Sequence, residues 1–201
     1  MLPIDVHCLV HKQSPFFPLL EEQMKSEDVN FHIIENGTNI GKGRVNGFLT
    51  GTSPYVSFVD YDDLIQPGIF KKVVDILERG YDWVYTDQML IDEFGNPLQP
   101  GWSSNPELYR PELLAFMKIN DNDEHCHHIV AFKRGLLRLD HLFIMSQLSE
   151  LTECYLFREL GRHSNFYHLK EIGYYWRQHE DNGFKKFFCY KTITEMLEKE
   201  V

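Results

Sequence analysis

The chain has 201 residues, 43% of them hydrophobic, with 15 Phe, 10 Tyr and 3 Trp. That is enough apolar mass for one packed domain and too much for a disordered chain. The formal net charge of -10, from 30 acidic and 20 basic residues, favours solubility and argues against a broad nucleic-acid-binding surface, leaving room only for a local basic patch.

In chain order, Asp5 to Val10 reads as a buried strand. Phe16 to Ser26 reads as a helix with Pro early, and Val29 to Glu35 as a second strand followed by an Asn36–Asn39 turn. Arg44 to Thr50 is a helical stretch closed by Gly51, and Tyr55 to Val59 is an apolar strand. Gly68 to Arg79 has helical periodicity with Gly80 at the expected C-cap, and Asp82 to Thr86 is a short strand. Pro97, Pro100, Pro106 and Pro111 make 96–123 a region of loops with a short helix. Beyond it come a strand at His128–Phe132, a short helix at Lys133–Leu139, a helix at Ser149–Gly161, a strand at Ile172–Trp176 and an amphipathic helix at 185–201. Strands alternating with helices predict a parallel or mixed α/β sheet covered on both faces. No linker divides the chain, so one domain is expected.

Cys8, Cys126, Cys154 and Cys189 form no CxxC pair and read as reduced thiols. No apolar stretch approaches the roughly 20 residues that span a bilayer, and no basic-then-apolar leader opens the sequence. The expectation is a soluble, cytoplasmic protein without a transmembrane segment.

The chemistry concentrates after the Tyr55–Val59 strand, where Asp60, Asp62 and Asp63 fall within four positions. Ligands of open α/β sheets collect at the carboxyl ends of strands. If strand geometry continues, Asp60 and Asp62 point the same way, and two hard oxygen donors suit Mg²⁺ or Mn²⁺. The alternative is a solvated acidic turn. Upstream, Asn39 to Gly47 supplies three glycines with Lys42 and Arg44, a composition that lets a backbone approach a phosphate and balances its charge. The alternative there is a glycine-rich turn leading into a helix. The stretch is neither a P-loop nor a dinucleotide fingerprint.

The run NIGKGRVNGFLTGTSPYVSFVDYDD resembles the signature of family 2 glycosyltransferases of the GT-A fold. Three later stretches agree in order: WVYTDQMLIDEFGNP, HHIVAFKRGLL and YYWRQHEDN. The resemblance covers about residues 4 to 184. It implies a GT-A-like, Rossmann-like single domain with a mixed, mostly parallel sheet. Residues 1–95 would bind the nucleotide sugar, 96–184 would bind the acceptor, and 185–201 would form the C-terminal helix. It also implies a metal-dependent, inverting transfer from a nucleotide-sugar donor, taken as a UDP-sugar, to an acceptor hydroxyl. The acceptor could be a glycan, a lipid-linked sugar, a protein or a modified nucleobase. By the resemblance, Asp60 and Asp62 match the Asp-x-Asp motif for ribose and metal (Mn²⁺ or Mg²⁺), with Asp63 as an alternative ligand. Glu35 takes the place of an acid at the nucleoside base, and Arg44 of a cation near base and diphosphate. His179 matches a histidine that completes the metal or diphosphate site.

The sequence also departs from the family pattern. The first strand runs into Leu9-Val10-His11-Lys12 in place of the usual Pro-Thr/Ser-Tyr-Asn turn, and a strand and helix common in the family are missing between Glu35 and Asn39. The family's Glu-Asp pair, whose Asp is the catalytic base, is absent. Glu153 falls closest in register, ahead of Leu156, and is the candidate base. Glu150 lies one turn earlier, and acids are also favoured at a helix start for structural reasons. His125-Cys126-His127-His128 reads as structural, because four ligands in a row cannot face one tetrahedral ion. Two rival functions stay open: a degenerate transferase that binds nucleotide sugar without turnover, and a nucleotidyltransferase. The second lacks the expected Gly- and Arg-rich loop after the first strand.

Overall fold

The structure, a computed structural model, describes residues 1–10, 14–35, 39–100, 128–148 and 152–180. In order they form β1 (Ile4–Val10), α1 (Phe17–Ser26), β2 (Asn30–Glu35), α2 (Ile40–Leu49), β3 (Tyr55–Asp60), β4 (Leu64–Ile65), α3 (Ile69–Glu78), β5 (Trp83–Ile91) and β6 (Pro97–Pro100). There follow β7 (Val130–Lys133), a 3-10 turn (Arg134–Leu136), α4 (Leu139–Gln147), α5 (Thr152–His163) and β8 (Phe166–Arg177). One mixed sheet runs β2-β1-β3-β7-β5-β8-β4, with β6 on β5. The β1–β2, β1–β3 and β5–β8 ladders are parallel and are the long ones; β7 joins the two halves by antiparallel pairing with β3 and β5.

Strand alternation divides the core into two layers. On β1, Ile4, Val6 and Cys8 enter one layer with Val59, Val84 and Ala131, covered by α1 and α3. The covering helix α3 buries Ile69, Phe70, Val73, Val74, Ile76 and Leu77, a stripe at helical spacing. At roughly 1.5–3 kcal/mol for a fully buried large side chain, that stripe fixes the helix to the sheet. The other layer holds Val56, Phe58, Trp83, Tyr85, Val130 and Phe132 beneath Phe48 of α2, Leu142 and Met145 of α4, and Tyr155, Leu156, Phe157 and Leu160 of α5. Helices therefore cover both faces, as the alternating pattern predicts.

Several boundaries differ from the sequence expectations. Helix α2 begins at Ile40 because the Asn39 side chain caps it, accepting the Lys42 backbone N–H at 2.8 Å. The helix expected over Lys133–Leu139 is a 3-10 turn, and the α-helix starts at Leu139. Its apolar stripe is hidden in the sequence because Leu139 and Phe143 point outward while Leu142 and Met145 are buried. Strand β8 extends back to Phe166 through the charged Lys170 and Glu171, which side-chain alternation does not reveal. The 185–201 helix and most of 96–123 lie outside the described residues. Among the described residues no helix is long and apolar enough to cross a membrane.

Candidate active site

Strand β3 ends at Asp60, Tyr61 and Asp62 form a turn, and the Asp63 N–H closes it on the Asp60 carbonyl at 3.3 Å. Asp60 and Asp62 therefore come together through a turn and not through strand alternation. Helix α2 runs back against the parallel strands, so its capped N-terminus and Arg44 sit at the same carboxyl rim.

Arg44 is buried, its guanidinium over the Phe58 ring at 4.5 Å and paired with Asp60 Oδ1. From the other side, His128 Nε2 lies 3.6 Å from Asp60 Oδ2, with its ring stacked on Tyr174 at 4.7 Å. Burial raises the Asp60 pKa, but Arg44 and then His128 outweigh it and hold the carboxyl below its usual value. Asp60 keeps its charge and remains about a third exposed. Asp62 accepts from His179 Nε2 at 3.0 Å, and its pKa is raised by burial and by the neighbouring Asp60 charge.

Asp63 behaves differently. It is 2% exposed, with Oδ2 accepting from the Tyr174 hydroxyl at 2.8 Å and Oδ1 from the Arg177 backbone N–H at 2.6 Å. Burial, then Asp62 and Asp60, push its carboxyl well up. Both oxygens of Asp63, the alternative metal ligand expected from the sequence, are engaged in joining the turn to β8. Two glycines of α2 have a packing role. A side chain at Gly41 would collide with the Met145 and Leu148 carbonyls, and one at Gly47 with the His7 ring. They permit α2 to pack against α4 and β1.

Arg44, expected near base and diphosphate, is buried beneath the rim and paired with Asp60. Lys42 is exposed on the first turn of α2, and Glu35 is exposed at the end of β2, opposite Val10 in register. Glu153 is the second residue of α5; its side chain lies outside the described residues, as do His125, Cys126 and His127.

Sequence reading missed several residues. His128, which reads as structural in the sequence, faces Asp60. Arg177 donates from Nε to the Asp62 carbonyl at 2.8 Å and from Nη1 to the Glu93 carbonyl at 2.8 Å, while stacking on Phe16 at 4.6 Å. It ties the acidic turn to the β5–β6 hairpin. The clue to Arg177 and Tyr174 was the YYWRQHEDN segment; for His128 no signal separates it from its histidine neighbours.

Among the described residues no three His, Cys, Asp or Glu side chains are grouped to hold a metal. Asp60 and Asp62 still fit a cation of the Mg²⁺ type, which takes one or two carboxylates and completes its shell with substrate phosphates and water. Both carboxylates are partly exposed on one turn, and burial and then the neighbouring Asp60 charge raise Asp62, a combination that favours the fit.

The fold is similar to that of TarS from S. aureus. Residues 1–349 of TarS in complex with UDP-GlcNAc align with a TM-score of 0.61 at 13% identity, over 92% of this chain and 61% of that one. Another structure of TarS 1–349 gives 0.59 at 13% identity, over 87% and 60%, and the complex of that fragment with UDP gives 0.58 at 14%, also over 87% and 60%. The chain thus spans about three-fifths of the length of these structures. No curated protein matches it by sequence. The model of "Glycosyl transferase family 2" matches residues 18–139, well over half of the chain, and with the mixed GT-A-like sheet and its acidic turn this places the protein in that glycosyltransferase family.

Proposed function

We propose that this chain transfers a sugar from a nucleoside diphosphate donor, a UDP-sugar, to an acceptor hydroxyl with inversion, using Mg²⁺ or Mn²⁺ held by Asp60 and Asp62. The observation that carries the reading is the pair of partly exposed carboxylates at the carboxyl rim of the parallel strands, where burial and then the Asp60 charge raise Asp62. UDP and UDP-GlcNAc are the ligands of the similar TarS structures, which supports the donor class.

A bound cation would neutralise diphosphate charge and make the nucleotide a better leaving group. The chain's own residues do the rest. Arg44 and His128 hold Asp60 ionised and aimed at the rim. Arg177 fixes the Asp62 backbone, and His179 steadies the Asp62 carboxylate until ligand binding. Glu35, at the exposed end of β2, lies where it can meet the nucleoside. Glu153, at the start of α5, takes the proton of the acceptor hydroxyl as its oxygen attacks the anomeric carbon and the bond to the diphosphate breaks.

Calorimetry with UDP in the presence and absence of Mn²⁺ tests the donor site. Binding that a chelator leaves unchanged overturns the metal assignment. Release of UDP from UDP-GlcNAc tests turnover, and Glu153→Gln is expected to lower it ~10²–10⁴-fold with UDP affinity kept. Wild-type rates in Glu153→Gln exclude that residue as the base.

A further inference from the structure

Asp87 and His168 form a second polar pair that the acidic turn does not use. His168 Nε2 lies 2.6 Å from Asp87 Oδ1, and the imidazole stacks on Tyr85 at 4.4 Å with the ring planes 11° apart. Tyr85 belongs to the core layer beneath α2, α4 and α5, the layer that also holds Phe58, on which Arg44 rests. The pair therefore lies on the same sheet face as the Arg44–Asp60 pair.

It also lies at the same end of the sheet. His128 faces Asp60, and the next residue, Ile129, exchanges hydrogen bonds with Thr86: its N–H donates to Thr86 Oγ1 at 2.9 Å, and its carbonyl accepts the Thr86 N–H at 3.1 Å. One short segment thus separates Asp60 on β3 from Asp87 on β5. Two strand spacings amount to about 10 Å.

Three features distinguish this pair from an ordinary surface contact. The β5–β8 ladder shifts register on both sides of Asp87, between Thr86 and Asp87 and again between Asp87 and Gln88. Bulges of this kind re-aim a side chain and cluster beside active sites. The side chains are about a quarter exposed, 28% for Asp87 and 21% for His168, so they are oriented by the fold yet open to a ligand. Among the described residues, neither Asp87 Oδ2 nor His168 Nδ1 has a hydrogen-bond partner. A carboxylate oxygen and an imidazole nitrogen side by side are acceptors suited to neighbouring sugar hydroxyls.

We propose that Asp87 and His168 bind the hydroxyls of the donor's sugar ring. The inference rests on the donor reading above: a diphosphate held at Asp60 and Asp62 carries its sugar directly on the terminal phosphate, and the ring with its far hydroxyls covers the distance to β5. Tyr85 holds the imidazole in place, and the Asp87 bond selects the tautomer in which Nε2 donates and Nδ1 accepts.

The test compares UDP with UDP-GlcNAc, UDP-glucose and UDP-galactose by calorimetry in Mn²⁺, on the full chain and on Asp87→Asn and His168→Gln. Both substitutions keep side-chain size, and unchanged melting curves verify folding. The expected result is a loss of tenfold or more in UDP-sugar affinity for whichever sugar binds the wild type best, with UDP affinity within twofold of wild type. Equal UDP-sugar affinity in wild type and both variants overturns the proposal. So does a parallel fall in UDP and UDP-sugar affinity, which assigns the pair to the fold. Intact UDP-sugar binding with transfer to an acceptor lost places the pair at the acceptor and overturns the donor assignment. If the wild type binds no UDP, the donor reading itself fails, a result separable from the failure of this subsite alone.

Discussion

At the scale of residues, the site is decided by which carboxylates keep contact with solvent. Of the two that do, Asp60 and Asp62, it is Asp62 whose charge costs more in the free protein, because burial and Asp60 both oppose it. Asp62→Asn removes that repulsion with little change of shape. It is expected to weaken Mn²⁺-dependent UDP binding at least tenfold while leaving the melting temperature equal or higher, as calorimetry and thermal denaturation will show. Arg44→Ala is expected to act differently from a change at an exposed phosphate-binding cation. The buried guanidinium pairs with a carboxylate that is itself a third exposed, so the loss is discounted from the fully buried case to about 1.5–3 kcal/mol. Chemical denaturation would measure it. An undiminished stability with weakened donor binding would return Arg44 to the diphosphate role its sequence position suggested.

Among the elements, α2 positions the site by close packing. The Gly41 N–H donates to the Leu148 carbonyl at 3.2 Å, a contact that α2 and the end of α4 make only without a side chain between them. Gly41→Ala must push backbone against backbone, and overpacking of this kind costs about 1–3 kcal/mol. Reduced stability by urea denaturation is the expected outcome. Donor affinity should fall with it if α2 shifts, because Arg44 lies one turn further along the same helix. A stable Gly41→Ala variant would show that α4 does not press on α2.

Across the whole molecule, Asp5 fastens the rim opposite the site. Its carboxylate accepts from His32 Nε2 of β2 at 2.9 Å, from the Ser53 N–H at 2.7 Å and from Arg134 Nη2 at 2.6 Å, gathering the loop before β3 and the turn after β7. Burial raises its pKa, but the His32 and Ser53 hydrogen bonds outweigh that, and the net direction is downward. A depressed folded-state pKa adds stability that is complete above the unfolded value of about 3.9 and is lost as pH falls through the folded one. Asp5→Asn should be less stable at neutral pH, because Arg134 loses its counter-charge, and the difference from wild type should shrink below about pH 4. Melting temperatures from pH 3 to 7 would record this; a constant difference across that range would remove Asp5 from the acid response.

The sequence by itself determined the alternation of strands and helices, the rim where the acids collect and the family resemblance, because each depends on local periodicity and short-range spacing. Apolar strands announce themselves, as does a stripe such as that of α3, and three acids directly after a strand do too. Tertiary structure alone decided the contacts within the site. Asp63 is separated from Asp60 and Asp62 by the Tyr174 hydroxyl and the Arg177 N–H, which are more than a hundred positions away. Long separations in sequence likewise hide His128 beside Asp60 and His168 beside Asp87. A carboxylate's availability is set by what the fold places against it, and one-dimensional spacing does not encode contacts between β3, β7, β5 and β8.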